Sequence, residues 1–261
     1  MAEDEGFGDI TTALLPDVEG SADVTAHEHG IVAGLSEAES IFAHHELITA
    51  ALCCDGDSVK QGDTIMHIVG HVKDILVTER VALNFLCRMS GIATTTRRCV
   101  QAAGSATIAA TRKTTPGFRF YEKKAVEIGG GDPHRYTLSE SYLFKDNHLK
   151  VIPIEEALQK KAFFTKKVEV EVESVDACIK AARLGADIIM LDNMSIYEIS
   201  AALNKLKEFG LRETVVVEAS GGITPETVSE YAATGIDVLS LGYLTHSSAW
   251  LDFSLELRVE D

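Results

Sequence analysis

From about residue 104 to the end of the chain, short strand-like runs alternate with helix-length segments, and this rhythm constrains the fold more than any other feature. The runs are TIAATR (107–112), SYLFK (141–145), KVEVEV (167–172), DIIMLD (187–192), TVVVEAS (214–220) and DVLSLG (237–242). Helix-length segments occupy 174–184, 195–209 and 225–234, the last with Thr224 as cap and Pro225 at the first helical position. Strand, helix, strand at this spacing means parallel β/α units, and six such strands imply closure toward a barrel. Periodicity alone does not separate that barrel from an open doubly wound sheet.

The first hundred residues read differently. Ala22 to Gly34 alternates as strands do, and Ser36 to Leu52 has helical spacing with Ser36 as N-cap. DGDSVKQGDTIMHIVG reads as short strands joined by Asp-Gly and Gly-Asp turns. From Val77 to about Ala103 the pattern is helical, interrupted at Gly91. The expected organisation is an N-terminal α/β domain over 1–103, with the last residues of the chain packing back on it, and a β/α barrel domain over 104–261.

Chemistry in β/α barrels collects at the C-terminal ends of the strands. Those ends here carry Arg112 and Lys113, Lys145, Glu171 or Glu173, Asp192, Ser220-Gly221-Gly222, and Ser240 with Gly242. In Val168-Glu169-Val170-Glu171-Val172-Glu173, alternation puts valines on one face and glutamates on the other. Valines suit packing against outer helices, which leaves the glutamates pointing inward, where they need cations. The competing reading is an exposed edge strand with its glutamates in solvent. Gly129-Gly130-Gly131 followed by Asp132-Pro133-His134-Arg135 reads as a tight loop presenting His134 and Arg135, a planar guanidinium suited to carboxylates. The glycine turns S-G-G and L-G-Y after the last two strands let backbone N–H groups approach a phosphate.

Charge narrows the partners. The chain of 261 residues has a net charge of −16, which argues against nucleic acid and anionic membrane surfaces. Between Thr111 and Lys145 the balance is instead +3, leaving −19 for the remainder. A basic cluster in an acidic protein points to a small polyanion. No run approaches a membrane span, and the acidic start MAEDEGFGDITT lacks the features of a signal peptide, so a cytoplasmic protein is expected. The five cysteines lack C-x-x-C spacing and read as small buried hydrophobes, while His27, His29, His44 and His45 read as solvated surface groups.

GDITT, IVAGL, ERVALNFLCRMSGIATTT, TRKTTPGFR, EKKAVEIGGGDPHR, KDNH, VEVEVES, IMLDN, VEASGGI, YAATGIDVLSLGYLTHS and LDFSLEL occur in this order. Together they resemble the quinolinate phosphoribosyltransferase family over nearly the whole chain. The resemblance implies an N-terminal α/β sandwich-like domain and a C-terminal incomplete β/α barrel. It implies conversion of quinolinate and phosphoribosyl pyrophosphate to nicotinate mononucleotide, pyrophosphate and CO2 in NAD biosynthesis. It also implies Mg²⁺ as cofactor, bound indirectly through Glu171 and Asp192. Catalytic roles fall to Lys113, Lys145, Glu171 and Asp192. Thr111, Arg112, His134 and Arg135 would bind substrate with them, and Ser220, Gly221, Gly222, Leu241, Gly242 and Tyr243 would hold the 5′-phosphate. The expected assembly is a homodimer, or a hexamer built from dimers, with Arg80 of one copy completing its neighbour's site. The chain begins close to GDITT, so the helix that precedes this motif in the family is short or missing, which bears on the dimer contact. LSES before KDNH also resembles the molybdenum-transport-associated relatives of the family. That branch and a nicotinate phosphoribosyltransferase are the two alternatives.

Overall fold

In the computed structural model, residues 2–160 and 165–259 are described. In chain order the elements run α1 Ala2–Glu5, β1 Glu19–Ala26, β2 Gly30–Ile31, α2 Leu35–Ala43, β3 Ile48–Ala51, β4 Ser58–Val59, β5 Thr64–His71 and α3 Val72–Ala103. They continue with β6 Thr107–Ala109, α4 Arg119–Ile128, β7 Tyr142–Phe144, α5 Asp146–Leu149, α6 Ile154–Gln159, β8 Val168–Val172, α7 Val175–Arg183 and β9 Ile188–Asp192. The last are α8 Ile196–Glu208, β10 Val216–Ser220, α9 Val228–Ala232, β11 Val238–Ser240, α10 Tyr243–His246 and β12 Phe253–Arg258. Two compact units result: residues 1–97 with 127–129 and 248–261, and residues 98–126 with 130–247.

The first unit is built on an antiparallel sheet in the order β12-β1-β5-β3. One face of that sheet supplies Ala22, Val24, Met66 and Ile68, which form a core with Phe42 of α2 and with Ile75, Leu83 and Leu86 of α3. The helical segment expected over Ser36–Leu52 is shorter than its periodicity indicates. It stops at Ala43, and Ile48–Ala51 pairs with β5 instead. The break has a local cause: Glu46 takes a left-handed φ of 59°, and the Leu47 amide turns back to donate to the Phe42 carbonyl. Gly34, not Ser36, occupies the N-cap position.

The helix around Gly91 is also corrected, because α3 runs through it unbroken. Glycine is there for space. A Cβ at position 91 would stand 1.9 Å from the Ala249 carbonyl oxygen, so the segment before β12 crosses this turn in direct backbone contact. Gly91→Ala is therefore expected to destabilise the protein by about 3 kcal/mol, read as a lowered urea midpoint.

The second unit is a parallel sheet in the order β6-β11-β10-β9-β8-β7, with every pairing parallel. β6 and β7 are successive in sequence yet sit at opposite ends of that order, so the barrel is open between them. All six strand expectations are met. Capping explains where two of the helices begin: the Ser174 hydroxyl accepts the Ala177 amide, and Ser195 with Glu198 forms a reciprocal capping box on α8. The helix expected from Pro225 starts later, at Val228, because a turn intervenes in which the Thr224 carbonyl accepts from Thr227 and Val228. α7 packs on β8 and β9, and Val168, Val170, Ile189, Leu191, Val217 and Leu239 are all fully buried.

No described helix is long and apolar enough to cross a membrane. Cys87, Cys99 and Cys178 are buried as expected, whereas Cys54 is exposed and Cys53 half-buried; all five are free thiols. His27, His29 and His44 are exposed, while His45 is half-buried against Asp74 at 3.1 Å.

Candidate active site

Register places the strand ends of the second unit at one level: Asp192 lies beside Ser220, Ser220 beside Ser240, and Ser240 beside Ala109. Above them opens a cavity of about 600 Å³. Cations reach it from the segments that span the gap between β6 and β7. Thr111, Arg112 and Lys113 line it after β6, His134 and Arg135 from the following loop, and Lys145 at the end of β7. Glu171, Asp192, the Ser220-Gly221-Gly222 turn, Gly242 and Tyr243 line the remainder.

Leu241, assigned to the phosphate from the sequence, does not line the cavity, and Arg80 is assigned to a neighbour's site rather than to this one. Leu241 is buried and donates its amide to the Ala109 carbonyl at 2.9 Å. Arg80 belongs to the first unit, where its side chain is exposed and lies 3.7 Å from Glu79.

The cationic side of the cavity is under-compensated. The buried Nε of Arg112 has no hydrogen-bond partner. Burial and then the Arg112 charge pull the pKa of Arg135 below its ordinary value. Two guanidiniums that repel one another across a partly dry pocket describe a place for an anion.

The opposite side has the converse imbalance. Burial, followed by the charge of Glu171, raises the carboxyl of Asp192. Glu171 pairs with the Lys145 ammonium. Asn193, at a left-handed φ of 54°, donates its amide nitrogen to Asp192 at 2.7 Å, and its backbone amide donates to the Ser220 carbonyl. Asn193 also explains Gly221, where a Cβ would stand 2.2 Å from its Oδ1.

Below this layer lies a feature that the sequence reading only half anticipated. The glutamates of β8 do point inward, and Glu169 is buried there facing Glu218 of β10 and His134. His134 Nε2 sits 3.7 Å from Glu169 and 3.5 Å from Glu218, while its Nδ1 accepts the Arg135 amide at 2.8 Å. The ring proton therefore rests on Nε2, toward the carboxylates. One oxygen of each glutamate is buried without a partner. This trio is the one His/Cys/Asp/Glu cluster with metal-compatible spacing among the described residues. Burial, then repulsion from Glu218, pushes Glu169 up to about 7. Glu218 could have been noticed as the lone acid in the apolar run VVVEAS, two residues before Ser220 and so on the same face.

A carboxyl raised on folding binds its proton more tightly in the native state. Its contribution is present below the unfolded value near 4.5 and lost as pH rises through about 7. Glu169→Gln is thus expected to flatten the fall in stability across that window and to raise Tm at pH 8, by differential scanning calorimetry.

Comparison with known proteins shows which family the chain is similar to. Residues 9–90 match the quinolinate phosphoribosyl transferase N-terminal domain, and residues 92–256 match the C-terminal domain. The chain is 48% identical over 256 residues to a probable nicotinate-nucleotide pyrophosphorylase [carboxylating] of Archaeoglobus fulgidus, covering 96% of this chain and 98% of that one. It is 38% identical to the nicotinate-nucleotide pyrophosphorylase [carboxylating] of Homo sapiens, over 90% of this chain and 82% of that one. Among solved structures it is similar to NadC from Streptococcus pyogenes, with a TM-score of 0.92 and 39% identity over 100% of this chain and 94% of that one. Human nicotinic acid phosphoribosyltransferase, at 13% identity and a TM-score of 0.62, shares the fold alone.

Proposed function

This chain belongs to the quinolinate phosphoribosyltransferase family, and from that premise we propose how its own residues divide the family's reaction. The activity is transfer of the phosphoribosyl group to quinolinate with loss of pyrophosphate and CO2, forming nicotinate mononucleotide for NAD biosynthesis. The observation that carries the residue assignment is the split cavity, with under-compensated guanidiniums on one side and crowded carboxylates on the other.

Quinolinate is a dianion, and Arg112 and Arg135 hold its carboxylates with the ring nitrogen facing the ribose, while His134 lines the same pocket with its Nε2 turned to Glu169 and Glu218. The 5′-phosphate rests on Ser220-Gly221-Gly222 and on the Gly242-Tyr243 turn, where glycine keeps side chains out of the way. At Gly242 a Cβ would meet His246 at 2.9 Å and the Lys113 chain at 3.1 Å. Glu171 and Asp192 face the ribose hydroxyls, and they also suit a hard divalent cation, since the raised carboxyl of Asp192 is relieved by one. Mg²⁺ held there would neutralise the pyrophosphate leaving group.

The ring nitrogen of quinolinate attacks C1′ as the bond to pyrophosphate breaks, and the leaving group departs with the electron pair. Positive charge building on the ribose is stabilised by the carboxylates of Glu171 and Asp192. The product is an N-ribosyl pyridinium. When the 2-carboxylate leaves as CO2, its bonding pair stays on C2 as an ylide stabilised by the adjacent positive nitrogen, and that pair then takes up a proton. Lys145 is engaged by Glu171, whereas no described carboxylate pairs with Lys113, which leaves Lys113 to accompany the departing carboxylate.

The working assembly in this reading is a dimer, alone or within a hexamer, in which the exposed Arg80 enters the neighbouring site. The five free thiols suit a reducing cytoplasm. The direct test is incubation with quinolinate, phosphoribosyl pyrophosphate and Mg²⁺. Nicotinate mononucleotide and CO2 should form in equal amounts and cease on chelation, and pyrophosphate release without CO2 would refute the reading.

Lys145→Ala is expected to lower turnover by about 10²-fold, and near-normal turnover would remove Lys145 from the mechanism. For the assembly, Arg80→Ala and Lys145→Ala should each be impaired alone. Mixed in equal amounts and allowed to exchange subunits, they should recover about one quarter of normal activity, because half the dimers then carry one intact site. No recovery would place Arg80 outside the neighbour's site.

A further inference from the structure

One helix holds both anion-binding loops of the cavity, and it does so without lining the cavity itself. Successive turns of α4 present Arg119, Glu122 and Lys123. Glu122 is buried and accepts from both the backbone amide and the hydroxyl of Thr115, at 3.0 and 2.9 Å, which ties down the loop carrying Arg112 and Lys113. Arg119 donates to the Thr114 hydroxyl at 3.0 Å and to the Tyr136 carbonyl at 2.9 Å, bridging that loop to the next.

Lys123 is the least expected of the three. It is a fully buried lysine with no carboxylate bonded to it among the described residues. Its ammonium donates to the carbonyls of Pro133, His134 and Arg135, the last at 2.8 Å and the middle one at 3.5 Å, and it lies 5.3 Å from the centre of the Tyr136 ring. Three carbonyls converging from one short stretch require the chain to curl around the donor, and His134 adopts a left-handed φ of 54° within that curl. An unpaired buried ammonium is costly, and a leucine or methionine would fill the same volume more cheaply. What the charge supplies here is a fixed shape for the two residues that face the substrate.

We propose that Lys123 is a positioning residue for quinolinate: its ammonium, bonded to the carbonyls of Pro133, His134 and Arg135, fixes the loop and so sets where Arg135 meets the substrate carboxylates. The inference rests on the reading that this loop holds quinolinate. It predicts a separation of effects, because the phosphoribosyl side of the cavity is built on β8 to β11 and makes no use of Lys123. Misplacement of a binding group by about 1 Å is enough for a loss of 10- to 100-fold.

The charge state of Lys123 offers a readout that a purely structural role would not move. The charged and titratable groups facing it are Arg119 on its own helix, Arg112 from the first loop, and Asp132, His134, Tyr136 and Glu140 from the second. Burial, then repulsion from Arg119, brings its pKa down to about 8. Above that pH the amine keeps two N–H donors and loses its charge, so one of the three carbonyls is released. Affinity for quinolinate should therefore fall as pH rises through about 8, a range in which quinolinate itself does not titrate.

The test measures the Kd of quinolinate by calorimetry and the KM of phosphoribosyl pyrophosphate for the full-length wild type, Lys123→Met and Arg135→Ala. The expected result is quinolinate binding weakened about 10-fold or more in Lys123→Met, with the KM of phosphoribosyl pyrophosphate changed less than about 3-fold and the alkaline loss of affinity abolished. Folded Lys123→Met with normal quinolinate affinity, alongside a weakened Arg135→Ala, overturns the positioning role while leaving the substrate site in place. Normal affinity in Arg135→Ala overturns both, since the loop would then not hold quinolinate. If Lys123→Met does not fold, the wild-type profile from about pH 7 to about pH 9.5 decides. A rise in quinolinate Kd centred near 8 supports the role, and a flat profile overturns it.

Discussion

Everything in the catalytic unit depends on keeping two opposite charges apart inside one sheet. The Arg112 charge helps to lower the pKa of Arg135 on one side of the cavity, and the Glu171 charge helps to raise that of Asp192 on the other. The Lys145–Glu171 pair links the two sides at the strand ends, and His134 meets Glu169 and Glu218 below it. Buried charges left in that condition are unfavourable for folding, so the site trades stability for a field ready to receive an anion on one side and a cation on the other. An acidic chain needs such local concentration before two polyanionic substrates will enter it together.

The cations come from the segment that spans the gap in the barrel. Residues 110 to 141, which join β6 to β7, carry Arg112, Lys113, His134 and Arg135 to the cavity, with α4 behind them. The acids come from the paired strands β8, β9 and β10, whose register sets Glu171 and Glu218 level with Met190, with Asp192 two residues beyond. Cations sit on loops braced by a helix, and acids sit on the sheet.

Much of this was legible in the residues. Alternation in VEVEVE identified the inward glutamates because the strand period of two leaves little choice once the valines are buried. The strand ends named most of the cavity because parallel β/α units place them all on one side. What escaped depends on distance in sequence. The facing of Glu169 and Glu218 requires knowing that β9 alone lies between β8 and β10. The role of Lys123 requires knowing that the loop after GGG folds back over α4, which no local pattern encodes. Ser36–Leu52 misled because helical spacing persists past Glu46, where the backbone turns left-handed. Gly91 looked like an interruption because a glycine chosen for close approach and one chosen to end a helix are the same letter.

The central claim is that the cationic half of the cavity is matched to two carboxylates rather than one. Titration calorimetry with quinolinate and, separately, with nicotinate tests it most directly. The account predicts that quinolinate binds at least about 100-fold more tightly, as expected for losing a charge-assisted contact worth roughly 3 kcal/mol. Equal affinity for the two ligands would contradict it.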